Sequence, residues 1–153
     1  ARILFTMPNA DPEYNIIFKE IKKFCKKNTN VNLFKNLGDK YFKTCVHFFD
    51  CLIGNSSSGI IELPYLKKPT INIGDRQSGR LMSKSILNTK INKRDILKAI
   101  KKIDSKKFKL KLKNVKSLYG GPGAVKKITS ILIKTNFEKL ISNKKFYDIN
   151  YKL

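Results

Sequence analysis

Hydrophobic positions along the chain alternate between short apolar runs and helical periods. The apolar runs predict β-strands at residues 2–6, 31–34, 51–53 and 70–73, with a weaker strand at 85–87. Between them apolar residues recur at helical spacing: Ile17, Ile21 and Phe24, for example, fall at i, i+4 and i+7. This spacing predicts helices at residues 12–27, 39–48, 59–66, 93–103 and 125–140, whereas the lysine-rich residues 104–113 are expected to form a solvated connector. Strands that alternate with helices are typical of an α/β fold with a parallel sheet.

Length and composition fit one globular domain. A chain of 153 residues can bury a core of its own, and its 41% hydrophobic and 29% charged residues are typical of a soluble protein. No apolar run approaches the ~18 residues of a membrane span, and no signal peptide is visible. We expect a domain at residues 1–142 and a tail at 143–153. The abrupt start without methionine suggests a piece of a longer protein.

The cysteines and the single histidine give no sign of a disulfide framework or a metal site. Cys25, Cys45 and Cys51 are odd in number, form no CxxC pair and have no histidine at ligand spacing. We therefore expect reduced core thiols in a cytoplasmic protein, with no metal and no cofactor. His47, on a predicted helix, is expected to be a core or surface imidazole rather than a ligand.

The net charge of +22 raises the alternative of nucleic-acid binding. However, 29 of the 33 basic residues are lysines spread over nearly every segment, and lysine lacks the bidentate fork with which arginine reads bases and phosphates. The charge therefore favours attraction of an anionic small molecule more than recognition of DNA or RNA.

The most informative segment is residues 51–62, with the sequence CLIGNSSSGIIE. A buried strand would bring this segment to the carboxyl edge of the sheet, where small residues let the backbone approach a ligand closely. Ser56, Ser57 and Ser58 offer hydroxyl groups and amides at a helix start, which favours binding of a phosphate. Glu62 lies one turn further on and could accept two hydrogen bonds from a ribose diol. The alternative is a serine-rich helix cap with a solvated glutamate.

Two further segments would emerge near the same edge. Residues 69–80 follow a strand and hold Arg76 and Arg80, two of only four arginines in the chain. Arginine is favoured where anionic groups are bound, although a polar surface turn would explain the segment equally well. Residues 119–124, with the sequence YGGPGA, open the last predicted helix. Their amides could face a phosphate, or the glycines could simply make a tight turn.

In this order, the segments resemble the hydrolysing UDP-N-acetylglucosamine 2-epimerases, a family that includes bacterial enzymes of sialic and legionaminic acid synthesis. The specific pair is GNSSSGIIE at residues 54–62 with IGDRQSGR at 73–80, supported by MPNAD at 7–11 and YGGPGA at 119–124. The similarity extends over residues 5–128. It implies a Rossmann-like parallel sheet with helices on both faces, forming the second half of a GT-B fold whose N-terminal domain is missing here.

The resemblance also implies roles for individual residues. Ser56 and Ser57 would bind the diphosphate and Glu62 the ribose hydroxyls, while Leu37 and Phe42 would line a uracil pocket. Arg76 would shape the same side of that pocket, and Asn9 and Asp11 would lie near the sugar. The complete set of predicted substrate-binding residues is Ser56, Ser57, Ser58, Gly59, Glu62, Arg76, Leu37, Phe42, Asn9, Asp11, Gly121 and Gly123.

The family reaction eliminates UDP to give a glycal and then adds water, which releases the 2-epimer. Its acids and bases lie mostly in the domain that is missing, so we expect this chain alone to bind UDP weakly and to be inactive. A glycosyltransferase of the same GT-B fold is the alternative enzyme. The partners implied are the UDP-sugar substrate and the N-terminal domain, with neither nucleic acid nor membrane. The sequence leaves open which sugar is used, whether the nucleotide is UDP or GDP, and whether a homo-oligomer forms.

Overall fold

The computed structural model describes residues 1–8 and 12–141, and it has the predicted α/β architecture. Five strands alternate with helices along the first two thirds of the chain, and helices follow. The elements are β1 (Ile3–Thr6), α1 (Tyr14–Lys27), β2 (Val31–Phe34), α2 (Gly38–Phe48), β3 (Leu52–Gly54), α3 (Ser58–Ile61), β4 (Thr70–Ile73), β5 (Ile86–Thr89), α4 (Lys93–Asp104), α5 (Lys106–Lys113), α6 (Ala124–Lys134) and α7 (Phe137–Ile141).

All strand pairs are parallel, as predicted, but the strands form two sheets instead of one. One sheet has the order β1-β2 and the other the order β3-β4-β5. Ile3 pairs with Val31 in the first sheet, and Ile53 pairs with Ile71 in the second. The parallel strands flanked by helices confirm the predicted Rossmann-like fold class.

The core is centred on β4 and the helices that pack against it. Ile71 is fully buried, and it packs in one cluster with Ala99 and Ile103 of α4 and Phe108 of α5. The residues of β4 are buried on both faces, which is typical of a central strand in a parallel sheet. This position fixes the carboxyl end of β4 beside that of β3.

The predicted helix at 59–66 was too long. Helix α3 contains only Ser58–Ile61, and the chain continues in turns to Lys67. Pro64 explains the difference, because its nitrogen has no hydrogen to donate to a carbonyl one turn earlier. The turns are closed instead by bonds such as Lys68 N to Leu63 O at 3.0 Å.

The prediction of a solvated connector at 104–113 was wrong. Ser105 ends α4 and caps α5, because its hydroxyl accepts a hydrogen bond from the amide of Phe108 at 3.3 Å. Phe108 is 5% exposed and anchors α5 in the core. Burial of one aromatic ring therefore outweighs the lysine-rich composition of this segment.

The ends of two other predicted helices also differ. Helix α1 begins two residues later than predicted, at Tyr14, after Glu13 in a left-handed conformation with φ of 66°. The long last helix is divided into α6 and α7, because Thr135 is extended and the Asn136 side chain accepts from the Lys139 amide at 3.1 Å. The predicted tail at 143–153 lies outside the described residues.

The three cysteines are free and half-buried. The prediction of thiols without a disulfide is confirmed, although none of them lies fully inside the core. Burial raises the pKa of the Cys51 thiol, and the charge of Asp50 adds to this effect. His47 is an exposed residue in the last turn of α2. Within the described residues, no helix is long and apolar enough to cross a membrane.

Candidate functional site

Two loops follow neighbouring strands at the same edge of the second sheet. Residues 54–59, here named the serine loop, follow β3, and residues 74–80, the arginine loop, follow β4. Because β3 and β4 are parallel and paired, their carboxyl ends meet at one edge. The serine loop leaves β3 at Gly54, whose φ of 149° is a conformation that residues with a side chain rarely adopt.

The serine loop is closed on itself by short-range hydrogen bonds. The hydroxyl of Ser56 accepts from the amide of Ser58 at 3.3 Å, and its carbonyl accepts from the amide of Gly59 at 3.2 Å. Ser57 occupies the N-cap position of α3 without making a capping bond through its side chain. The amides of Ser58 and Gly59 are thus used within the turn, while the side chains of Ser56 and Ser57 are exposed. An anion would meet hydroxyl groups here rather than a row of open amides.

Close packing on β4 fixes the end of the serine loop. Gly59 is buried, and a Cβ added to it would lie 2.7 Å from Cγ2 of Thr70 and 3.2 Å from Cδ2 of Leu52. The hydroxyl of Thr70 donates to the carbonyl of Gly59 at 2.8 Å. Glycine is required here so that the start of α3 can lie against the sheet. Gly59 therefore has a packing role beneath the loop.

Gln77 joins the two loops, a role that the sequence analysis did not assign. Its Nε2 donates to the carbonyl of Asn55 at 2.7 Å, and the residue is only 4% exposed. Its Oε1 is buried and has no hydrogen-bond partner among the described residues. The bond holds the arginine loop against the serine loop. Sequence could have flagged Gln77 only as an uncharged member of the segment between Arg76 and Arg80.

A cavity of about 620 Å³ brings together residues from three separate parts of the chain. Ser56, Ser58 and Glu62 line one side, and Leu37 and Phe42 line the other. The start of α2 forms the second wall, since the side chain of Asn36 accepts from the amide of Gly38 at 2.7 Å and shapes the turn before the helix. We call this space the serine-loop cavity. Its complete lining is Thr6, Met7, Pro8, Lys35, Asn36, Leu37, Gly38, Asp39, Phe42, Ser56, Ser58 and Glu62.

A second space of about 370 Å³, here named the inter-sheet crevice, adjoins the first. It lies between the residues of β1 and those of β3, and Arg76 lines it at the level of Asn55 and Ser56. Leu37, Phe42 and Ser56 line both spaces. Arg76 is therefore near the predicted pocket but on its inter-sheet side.

Charges of both signs surround the serine-loop cavity. The ammonium of Lys43 donates to a carboxylate oxygen of Asp39 at 2.9 Å. This hydrogen bond raises the pKa of Lys43 above its ordinary value, and the charges of Asp39 and then Glu62 add to the effect. Glu62 is half-buried on the cavity wall, so a carboxylate is available for hydroxyl donors.

The other predicted site residues are not gathered in this way. Ser57 and Gly59 line neither space, and the same holds for Gly121 and Gly123, which are exposed before α6. Their roles in binding stay predictions. Asn9 and Asp11 lie outside the described residues. Within residues 1–8 and 12–141, no three His, Cys, Asp or Glu side chains lie close enough to hold a metal ion.

Fold and site together define an α/β domain of parallel strands that carries polar, ligand-accessible loops at a carboxyl edge. The model of the protein family described as UDP-N-acetylglucosamine 2-epimerase matches residues 1–133, and the chain belongs to this family. This confirms the resemblance found in the sequence.

Several curated proteins are similar to the chain. It is 43% identical over 110 residues to the GDP/UDP-N,N'-diacetylbacillosamine 2-epimerase (hydrolyzing) of Campylobacter jejuni, which covers 71% of the chain and 28% of the relative. It is 35% identical over 148 residues to the polysialic acid biosynthesis protein P7 of Escherichia coli, covering 95% of the chain and 37% of the relative. The UDP-N-acetylglucosamine 2-epimerase of Neisseria meningitidis is 34% identical over 98 residues, 64% of the chain and 26% of the relative. The chain thus spans about a third of these relatives or less.

Proposed function

We propose that this chain is the nucleotide-binding part of a hydrolysing 2-epimerase that acts on a nucleotide-linked N-acetylated hexosamine. The observation that carries the proposal is the serine-loop cavity, where Leu37, Phe42, Ser56, Ser58 and Glu62 meet although they come from three segments. Family membership is consistent with this assignment. In the proposed reaction, loss of the C2 proton and of UDP from C1 gives a glycal. Addition of water across its double bond then releases the 2-epimeric sugar.

The cavity offers complementary surfaces for the three parts of a nucleoside diphosphate. Leu37 and Phe42 provide an apolar wall for the base, and the neighbouring turn at residues 35–38 exposes polar backbone groups for its edge. The hydroxyls of Ser56 and Ser57 donate to the diphosphate. The carboxylate of Glu62 accepts hydrogen bonds from the ribose 2′- and 3′-hydroxyls, which are charge-assisted and therefore strong.

Long-range electrostatics would favour an anionic ligand. The chain carries a net charge of +22, so a diphosphate is attracted before it meets the site. In contact, however, no ion pair with lysine is required, because the serine hydroxyls are uncharged donors. Arg76, on the inter-sheet side, would orient the base rather than neutralise the phosphates.

Turnover requires more than this chain supplies. Proton removal at C2 and protonation after water addition need acids and bases that face the sugar from the opposite side of a cleft. The chain spans 28% and 37% of the two relatives named first, so these groups would come from the rest of the longer protein. We expect the chain to bind the nucleotide and the complete protein to catalyse.

The substrate class follows from the same reasoning. The printed names of the relatives include both N-acetylglucosamine and N,N'-diacetylbacillosamine as UDP or GDP conjugates. We propose a UDP sugar of this kind, used in the cytoplasm for sialic-acid-like precursors such as legionaminic acid. These precursors would be incorporated into cell-surface polysaccharide.

The experiment that tests the proposal compares UDP with 2′-deoxy-UDP in the complete protein. Isothermal titration should show tighter binding of UDP, and Glu62→Gln should remove most of this difference because a neutral amide accepts more weakly from the ribose hydroxyls. Glu20→Gln, on the exposed surface of α1, is the matched control and should leave the preference intact. Product analysis should show free UDP and free 2-epimeric sugar without any acceptor. Equal affinities for the two nucleotides in the unmodified protein would refute the assigned ribose site, and sugar transfer that needs an acceptor would refute the reaction.

A further inference from the structure

The edges of β1 and β3 that face away from their own sheets carry unused backbone groups. In β1, the amides of Ile3 and Met7 donate to β2 residues or to the turn before β2, at 3.0 and 3.1 Å. Residues alternate along a strand, so the amides and carbonyls of Leu4 and Thr6 point to the opposite side. In β3, the Leu52 amide donates to Pro69 at 3.1 Å, so the peptide groups of Ile53 point away from β4.

These two edges face each other with the same polarity. Residues of both strands line the inter-sheet crevice: Leu4, Phe5 and Thr6 on one side, and Leu52, Ile53 and Gly54 on the other. The segments after both strands, at Met7 and at Asn55, line the same space, which shows that their carboxyl ends point the same way. Among the described residues, no backbone hydrogen bond joins β1 to β3.

The sequences of the two strands are typical of inner strands rather than edges. Natural edge strands carry lysine, proline or a bulge that prevents further pairing. β1 has the sequence ILFT and β3 the sequence LIG, with none of these features. Ile53 is nevertheless 47% exposed, while Ile71, its partner in β4, is fully buried. Ile3 in β1 is 37% exposed.

From these observations we infer that one further parallel strand fills the inter-sheet crevice in the complete protein and joins the two sheets into one. The strand is supplied by the polypeptide that precedes residue 1. Its edges pair with Leu4 and Thr6 on one side and with Ile53 on the other. The polypeptide outside the chain is long enough, since the named relatives extend well beyond it.

Strand order identifies the place of this strand in the sequence. With it inserted, the order becomes β2-β1-new-β3-β4-β5. If the new strand is numbered first, this is the order 3-2-1-4-5-6 of dinucleotide-binding sheets. A parallel neighbour requires a crossover of a dozen residues or more, usually a helix, between the new strand and β1. The inserted unit is therefore a strand followed by a helix.

Direct pairing of β1 with β3 is the main competing arrangement. It would give the order 2-1-3-4-5, which also occurs in α/β proteins. Direct pairing would bring the strands within about 4.8 Å and leave no room for a ligand-sized space between them. The crevice of about 370 Å³ and the absence of a shared hydrogen bond among the described residues favour insertion.

Insertion also changes the predicted site. In the completed sheet, the strand order reverses between the new strand and β3, and ligands bind at such reversal points. The loop after the new strand would lie between Pro8 and Ser56, both of which line the serine-loop cavity. The domain is thus expected to be incomplete as a nucleotide site even before its partner domain is considered.

The test is amide hydrogen exchange and nuclear Overhauser spectroscopy on the deuterated complete protein, compared with the chain of residues 1–153. The amides of Leu4, Thr6 and Ile53 should exchange at least ~100-fold more slowly in the complete protein. The amides of Ile3 and Leu52, which bond within their own sheets, serve as internal controls and should be protected in both samples.

The origin of the Overhauser contacts decides among the arrangements. Contacts from Leu4, Thr6 and Ile53 to residues that precede Ala1 establish the inserted strand. Contacts from Leu4 or Thr6 directly to Ile53 would overturn it in favour of direct pairing. Contacts between molecules in a mixed-label sample, or rapid exchange of the three amides in the complete protein, would also overturn it. No substrate is needed, so the result is independent of the proposed activity.

Discussion

Replacement of Gly59 by alanine tests the close packing that holds the serine loop on β4. The new Cβ would lie 2.7 Å from Cγ2 of Thr70, a residue that is 1% exposed and cannot move aside easily. Relief of such overpacking in a core costs about 1–3 kcal/mol. For a chain of 153 residues this corresponds to a fall in Tm of roughly 2–12 °C. The assay is thermal unfolding of the chain followed by circular dichroism, repeated in the complete protein.

Two further variants make this test specific. Gly121→Ala is the matched control, because a Cβ there meets nothing within 4 Å, and it should leave Tm unchanged or raise it slightly. Thr70→Ser removes the obstructing methyl but keeps the hydroxyl that donates to Gly59. The double variant Gly59→Ala/Thr70→Ser should therefore be more stable than the sum of the single effects predicts. Additive effects, or equal Tm values for Gly59→Ala and Gly121→Ala, would refute the packing argument.

Other contacts give predictions of smaller scope. Gln77→Leu should weaken UDP binding by about tenfold, measured by calorimetry, because the bond that holds Asn55 is lost; unchanged affinity would mean that the arginine loop does not position the serine loop. Asn92→Ala should cost about 1 kcal/mol in urea unfolding at neutral pH, since Asn92 caps α4. The hydrogen bond from Asn92 lowers the pKa of Asp95 below its usual 3.8, so its contribution is present above that pH and is lost as the pH falls through the lowered value. Asp95→Asn should therefore flatten the acid side of the stability profile, and an unaltered profile would contradict this assignment. Lys68→Met should lower Tm by a few degrees because the ammonium donates to two carbonyls at the end of α2, at 2.7 and 2.8 Å, and Lys67→Met is its exposed control.

Most strands and helices could be predicted from apolar spacing, because spacing depends directly on which face of an element is buried. The failures have local causes that spacing does not capture. Pro64 shortened α3 although Leu63 and Leu66 continue an apolar pattern. Helix α5 was missed because composition was given more weight than the spacing of Phe108 and Leu112 after the Ser105 cap.

The candidate site was partly predictable for a related reason. A residue type and a position after a strand indicated Ser56 and Glu62 from the sequence, and the structure places both on one cavity. The contact between Gln77 and Asn55 joins positions 22 residues apart, and only the packing of two loops creates it. Gly59 was expected to meet substrate, whereas a glycine in a loop sequence does not reveal whether a ligand or the protein itself approaches it closely. The separation of the strands into two sheets was likewise invisible, because pairing depends on neighbours along the whole domain.

The position of Cys51 makes the inter-sheet crevice accessible to chemical measurement. This thiol lines the crevice at the start of β3, and burial already raises its pKa, so little reactive thiolate is present at neutral pH. Its rate of alkylation consequently depends on how often reagent and water reach the crevice. A polypeptide that occupies this space would slow the labelling of Cys51 far more than that of the other two thiols. The protein therefore contains its own kinetic probe of whether its sheet is continuous, without any introduced label.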